Sequence, residues 1–196
     1  MRQTVHLSTV EDNVYLYDST ATLSTPQILR RQLTLFVPAP WCAHLDALRQ
    51  TLDPIQASRI AAHVTLCRED EIAHADASSL LLRVTTWADG PLRLTFGSPQ
   101  RFDGHGILLP CKHGAGEFHA LREWVLNRSG VRTHAAHITL AHPRNPRAPG
   151  NTDAALATCQ QSLELPFATV ALIEQHGNAP WNIIQQATLG GEEHER

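Results

Sequence analysis

One hexapeptide occurs twice in this chain, as Ala61-Ala62-His63-Val64-Thr65-Leu66 and as Ala135-Ala136-His137-Ile138-Thr139-Leu140. Five of the six positions are identical and the sixth exchanges Val for Ile, both β-branched residues that suit extended backbone. The repeat continues upstream. Leu35-Phe36-Val37-Pro38 and then Ala47-Leu48-Arg49 precede the first hexapeptide; Leu108-Leu109-Pro110 and then Ala120-Leu121-Arg122 precede the second. Strand, proline, helix and strand therefore follow one another twice, with the two histidines 74 residues apart. A chain built this way folds as two βαβ units whose equivalent residues meet about a pseudo-twofold axis. In a strand, residues i and i+2 share a face, so each unit presents an imidazole and a hydroxyl together. Facing each other, the units bring two imidazoles and two hydroxyls to one cleft.

The flanking pattern supports a single globular domain at residues 32–189, with an N-terminal extension at 1–31 and a charged tail at 190–196. Residues 1–31 contain the alternating piece Val14-Tyr15-Leu16-Tyr17 and read as an edge strand or an arm. The domain opens with the apolar run Gln32 to Val37, and Trp41 to Leu52 follows with Leu45, Leu48 and Leu52 at helical spacing, ending before Pro54. Residues 74–86 read as helix turning into strand, with no way to separate the two. Leu92 to Phe96 alternates as a strand does. A turn at Asp103-Gly104-His105-Gly106 leads into Ile107-Leu108-Leu109. Glu117 to Leu126 is a helix with Phe118, Leu121 and Val125 inward, capped near Ser129-Gly130. A loop holding Pro143, Pro146, Pro149 and Gly150 follows the second hexapeptide. Then come a helix over Thr152–Leu163, capped by Thr152 or Asn151, and two strands, Ala168–Ile173 and Trp181–Leu189, turning at Gly177-Asn178. Trp41 and Trp124, on helices, are assigned to the core.

Composition limits the classes of function. Of the 196 residues 42% are apolar and 18% charged, which is the balance of a folded globular chain. The net charge of −3 argues against gripping long nucleic acid through a basic surface. The great majority of the 16 basic residues are arginine, whose fork grips phosphate in a bidentate way. Cys42, Cys67, Cys111 and Cys159 form no CxxC pair and follow no apolar run of the secretory kind, so free thiols are expected. No segment reaches the roughly 20 apolar residues that span a membrane. A cytoplasmic monomer is the expectation.

An imidazole titrates near pH 6.5, so close to neutrality it takes or gives a proton. Two of them on opposite sides of a phosphorus suit in-line displacement: one removes a proton from the attacking water or hydroxyl, the other protonates the leaving oxygen. Threonine hydroxyls beside them hydrogen-bond the non-bridging oxygens. The scheme needs no metal or other cofactor. Its natural substrate is a phosphodiester beside a ribose hydroxyl, or the 2′,3′-cyclic phosphate that such a diester forms.

The pair of His-x-Thr-Leu motifs, with the Leu-Phe-Val-Pro strand before the first and a late Trp-containing strand, resembles the 2H phosphoesterase superfamily. Within it the likeness is to the 2′-5′ RNA ligase/RNA 2′,3′-cyclic phosphodiesterase-like branch, over roughly residues 32–189. The resemblance implies a bilobal α+β fold with antiparallel sheets around a central groove. It implies that His63 and His137 are the catalytic acid and base and that Thr65 and Thr139 bind phosphate. Members often carry a basic residue two positions after the second motif's leucine, where this chain has His142, with Arg144 following. Trp181 falls where members often have an aromatic that lines the groove and stacks a base. Arg68, His142, Arg144 and Trp181 are thus the candidates for substrate binding. The implied activity is opening of 2′,3′-cyclic phosphates on RNA termini or small nucleotides, with 2′-5′ diester cleavage or reversible ligation as the alternative.

Two further readings compete. His63, His134, His137 and His142 would be a zinc set if they met in space, but neither H-E-x-x-H nor a cysteine pair is present. A module that binds nucleotide or RNA ends without turnover is the other, although a pure binder has no need of a paired acid and base. Cys67 lacks a base partner and reads as packing.

Overall fold

The computed structural model describes residues 29–102, 106–158 and 162–191. In chain order the strands are β1 (Leu29–Phe36), β2 (His63–Cys67), β3 (Leu92–Phe96), β4 (Gln100–Arg101), β5 (Ile107–His113), β6 (His137–Ala141), β7 (Leu163–Phe167), β8 (Thr169–His176) and β9 (Asn182–Thr188). The helices are α1 (Trp41–Leu52), α2 (Pro54–Ala57), α3 (Glu69–Ile72), α4 (Ala77–Thr85), α5 (Ala115–Leu126) and α6 (Asp153–Thr158). They build two antiparallel sheets. One has the order β2-β1-β8-β9; in the other, β6 pairs with β5, and β5 leads through β3 to β7, with β4 on β5 as well. The architecture is the α+β arrangement of antiparallel sheets that the resemblance implied.

Each hexapeptide strand lies at the edge of its sheet beside the strand that opens its own repeat. Phe36 stands opposite His63 and Thr34 opposite Thr65; Pro110 stands opposite His137 and Leu108 opposite Thr139. Both pairings slip at the same place, between Leu33 and Thr34 and between Ile107 and Leu108. The duplication is thus close enough to keep an irregularity. It corrects the alignment by prolines, because Pro110 occupies the place of Phe36 and not that of Pro38. Helices α1 and α5 connect the paired strands within each unit. The two strands of each unit run antiparallel, so each βαβ unit folds back on itself.

Alternation decides what the motif strands bury. Val64 and Leu66 are fully enclosed, as are Ile138 and Leu140, while His63, Thr65, His137 and Thr139 remain half-buried. The enclosed set joins one continuous core with Leu33, Leu35, Leu94, Phe96, Phe118, Leu121 and Val125. Burying each large aliphatic side chain contributes about 1.5–3 kcal/mol, which holds the other face of the strand towards the groove.

Several boundaries differ from the sequence reading. β1 begins at Leu29 because Leu29 to Thr34 pair with β8 as far as His176, so three residues assigned to the extension belong to the sheet. Residues 74–86 contain only a helix, α4, whose Asp76 side chain accepts from the Ser79 N–H at 2.8 Å and whose Leu80, Leu81 and Val84 are buried. α5 ends earlier than Gly130, at a left-handed Asn127 (φ 49°) whose N–H meets the Glu123 and Trp124 carbonyls. It starts after Gly114, at φ 90°, where a Cβ would lie 2.3 Å from the Arg93 carbonyl oxygen. Leu163 belongs to β7, whose Leu163, Leu165 and Phe167 alternate inward and pair with β3; the helix before it, α6, is capped by Thr152. Trp181 precedes β9 and its N–H bonds the Arg59 carbonyl at 2.8 Å. Trp41 and Trp124 are both exposed, at 40% and 45%. The Trp124 indole N–H needs an acceptor and finds one in the Arg83 carbonyl at the surface. The alternating piece at Val14–Tyr17, the tip at 103–105, Cys159 and most of the charged tail lie outside the described residues.

Candidate functional site

A groove of about 1060 Å³ runs between the two sheets. His63 and Thr65 of β2 and His137 and Thr139 of β6 line it together, as do Arg68, His142, Arg144 and Trp181. Every candidate site residue singled out from the sequence therefore reaches one surface. The two motif strands touch each other where the sheets meet.

The two imidazoles are held identically. His63 Nδ1 lies 2.8 Å from the Ala61 carbonyl, and His137 Nδ1 lies 2.8 Å from the Ala135 carbonyl. A carbonyl oxygen only accepts, so Nδ1 carries the proton and donates. Nε2 is left as the nitrogen that exchanges a proton with a ligand. This explains the first alanine of each hexapeptide as an anchor two residues upstream. The second, Ala62 or Ala136, is almost wholly buried and must be small. Phe36 meets the His63 ring edge-on with centroids 6.3 Å apart; Phe102 and His134 lie 6.0 and 5.8 Å from that of His137.

The surroundings disfavour charge on several of these rings. Enclosure at the groove floor, with smaller contributions from Arg49, His137 and His142, pushes His63 down to about 4. His134 is also pushed down to about 4, first by burial and then by His137 and Arg122. Its Nε2 is the one fully enclosed side-chain polar atom without a hydrogen-bond partner among the described residues. His142 is lowered by burial and by Arg144. Its Nδ1 accepts the Arg144 N–H at 3.0 Å, while its own N–H donates to Asp53 at 2.9 Å. Asp53, buried at the junction of α1 and α2, also accepts from Asn145 at 2.7 Å and so fastens the loop after β6.

The remaining candidates are placed less tightly. Arg68 is exposed, with Asp70 at 3.5 Å. Arg144 is exposed on the loop after β6. Trp181 carries the Arg30 guanidinium on one face, 5.3 Å from the ring centroid, so that face is covered. Cys67 is buried and its thiol is pushed up to about 12 by burial, in keeping with packing. Cys42, Cys67 and Cys111 are free thiols. Although His63, His134, His137 and His142 all border the groove, no group of three His, Cys, Asp or Glu among the described residues is arranged to hold a metal ion.

Two arginines have a bracing role that the motifs alone did not reveal. Arg49 on α1 donates through Nε to the Thr139 carbonyl of β6 at 3.1 Å and through Nη1 to the Ile60 carbonyl at 2.6 Å. Arg122 on α5 donates through Nε to the Leu66 carbonyl of β2 at 2.8 Å and through Nη1 to the Arg132 carbonyl at 2.8 Å. Each helix thus braces the motif strand of the other repeat. The signal in the sequence was the arginine ending each Ala-Leu-Arg triplet at the same place in both units.

No family model matches the chain, and no curated protein matches it. Solved structures do. TT0787 of Thermus thermophilus superposes with a TM-score of 0.53 at 19% identity, over 84% of this chain and 100% of that one. E. coli LigT complexed with NADP+ gives 0.52 at 19% identity, over 85% of this chain and 99% of LigT. LigT complexed with ATP gives 0.51 at 17% identity, over 84% and 99%. At these identities the likeness establishes architecture. The chain has the fold of LigT and TT0787.

Proposed function

We propose that this protein is a metal-independent phosphodiesterase that opens 2′,3′-cyclic phosphates on RNA ends or nucleotides. The observation that carries the reading is the pair of equivalent His-Thr units on one groove, each imidazole anchored through Nδ1 with Nε2 free. Water attacks phosphorus as one imidazole accepts its proton. The bond from phosphorus to one ribose oxygen breaks, and the other imidazole, protonated, supplies that oxygen's proton. Solvent then restores both rings. Thr65 and Thr139 donate to the non-bridging oxygens, where negative charge accumulates. LigT, which shares the fold, has been crystallised with NADP+, 3′-AMP and ATP, all of them phosphorylated adenine nucleotides. That is the chemical class this groove suits.

The test is direct. Incubation with a panel of 2′,3′-cyclic nucleotides and 2′-5′ dinucleotides should yield a ribose phosphomonoester from the cyclic compounds, with EDTA making no difference. Turnover of only the 2′-5′ dinucleotides moves the assignment to that linkage. Binding with no product of either kind makes the chain a nucleotide-end binder, and activity lost to EDTA and restored by zinc overturns the metal-free scheme.

A further inference from the structure

Duplication has produced two bracing arginines, yet their guanidinium groups are not used equally. Arg122 commits all three nitrogens to the protein: Nε to Leu66, Nη1 to Arg132, and Nη2 to the carboxylate of Glu71. Both members of that ion pair are buried, so the charge is matched where it sits. Arg49 is as deeply placed, at 3% exposure, but differs at one nitrogen. Its Nε and Nη1 are engaged, whereas Nη2 meets no acceptor among the described residues. Nη2 is not among the fully enclosed unpartnered atoms, and Arg49 forms part of the groove wall beside His63 and Thr139. Two carboxylates lie near it and neither matches it well: Asp53 is buried, but its oxygens accept from the Gln56 and His142 N–H groups and from Asn145 rather than from Arg49. Asp46 lies 3.3 Å from Nη1, is half exposed, and shares the same oxygen with the Ala62 N–H at 2.6 Å.

A buried cation so incompletely matched is costly until an anion reaches it. We propose that Arg49 is an anion ligand of this site, its Nη2 donating to a non-bridging oxygen of the phosphoryl group held between the two His-Thr pairs. The proposal rests on the phosphodiesterase reading for the identity of that anion. Two of the guanidinium nitrogens are already fixed to backbone carbonyls, so the third is oriented before the ligand arrives. A charge-assisted bond from a desolvated guanidinium is among the strong ones, and it strengthens as negative charge builds on the phosphoryl oxygens. The group also accounts for part of the resistance of His63 to protonation in the ligand-free groove.

Inorganic phosphate titrated into the intact protein by calorimetry at pH 7 tests this without requiring turnover. R49Q should bind phosphate at least tenfold more weakly than wild type, and R49K, which keeps the cation, should bind more tightly than R49Q. Equal affinity in R49Q and wild type overturns the proposal; so does R49K falling as far as R49Q, because bracing would then be the whole role. Should R49Q fail to fold, the wild-type protein decides. Phosphate should shift the guanidinium ¹⁵N and ¹H resonances of Arg49 and leave those of Arg122 in place, and unmoved Arg49 resonances reject the assignment. Failure of the two readings is distinguishable. Phosphate affinity that depends on Arg49 without hydrolysis of any cyclic nucleotide removes the phosphodiesterase and keeps the ligand; hydrolysis with affinity intact in R49Q does the reverse.

Discussion

At the scale of single residues, the chemistry rests on two rings that the chain presents in the same way. His63→Ala or His137→Ala should lower turnover of a 2′,3′-cyclic nucleotide by about 10²–10⁴-fold, the range for removing a positioned acid or base. Wild-type turnover in either variant rejects the assignment. The pH dependence follows from the same pair. The active form holds one proton between the two rings, so kcat/KM rises and falls with pH whichever ring is the acid. With His63 as the base, its protonation below about 4 in the free enzyme ends catalysis. The acidic limb of kcat/KM should therefore lie near 4 rather than at the 6.5 of an ordinary imidazole. A limb found at the ordinary value shows that the groove does not keep this ring neutral.

The elements show where local chemistry is strict and where it is tolerant, and two glycines at the start of α5 separate the cases. Gly114 holds φ at 90° with the Arg93 carbonyl oxygen 2.3 Å from where a Cβ would stand. Gly114→Ala should lower stability by roughly 2 kcal/mol or more, from backbone strain and the clash together. Gly116 has open space and lies inside the helix, so Gly116→Ala should be neutral or stabilising by up to about 1 kcal/mol. Urea unfolding of the two variants checks both signs. The elements also show what pattern reading could reach. The motif strands were legible because aliphatic residues alternate with His and Thr over four positions. β7 has an equally clean alternation at Leu163, Leu165 and Phe167, but helix-like spacing runs into it without a break, so the sequence reading gives Leu163 to the helix and assigns no strand at 164–167. α4 was ambiguous because Leu80, Leu81, Leu82 and Val84 suit either state until Asp76 caps the helix and the sheet behind it is known.

Over the whole molecule, the groove gives the fold a sensitivity to acid. His63 and His134 protonate near 4 when folded and His142 is lowered as well, whereas in an unfolded chain each titrates near 6.5. Below 6.5 the unfolded chain therefore binds more protons than the folded one. The contribution is intact above that value and is lost as pH falls towards 4. Urea midpoints should accordingly drop between pH 7 and pH 5, and His134→Phe should flatten the dependence. Equal midpoints at the two pH values would show that the rings are free to charge in the folded state.

The sequence by itself determined the repeat, and with it the two-unit architecture, the strands that carry the motifs and the four side chains on their polar faces. Those follow from local rules, because a period of two and a duplicated order of elements act along the chain. Tertiary structure alone decided how the units meet: which strand closes each sheet, how Asp53 ties the loop after β6, and how each helix arginine reaches the other repeat. The reason is distance along the chain. Arg49 and Thr139 are 90 residues apart, and no local pattern records a hydrogen bond across that separation. The same cause hid the difference between the two arginines. Arg49 and Arg122 end identical triplets, and only the fold gives one a direct ion pair with a buried carboxylate and sets the other against the open groove.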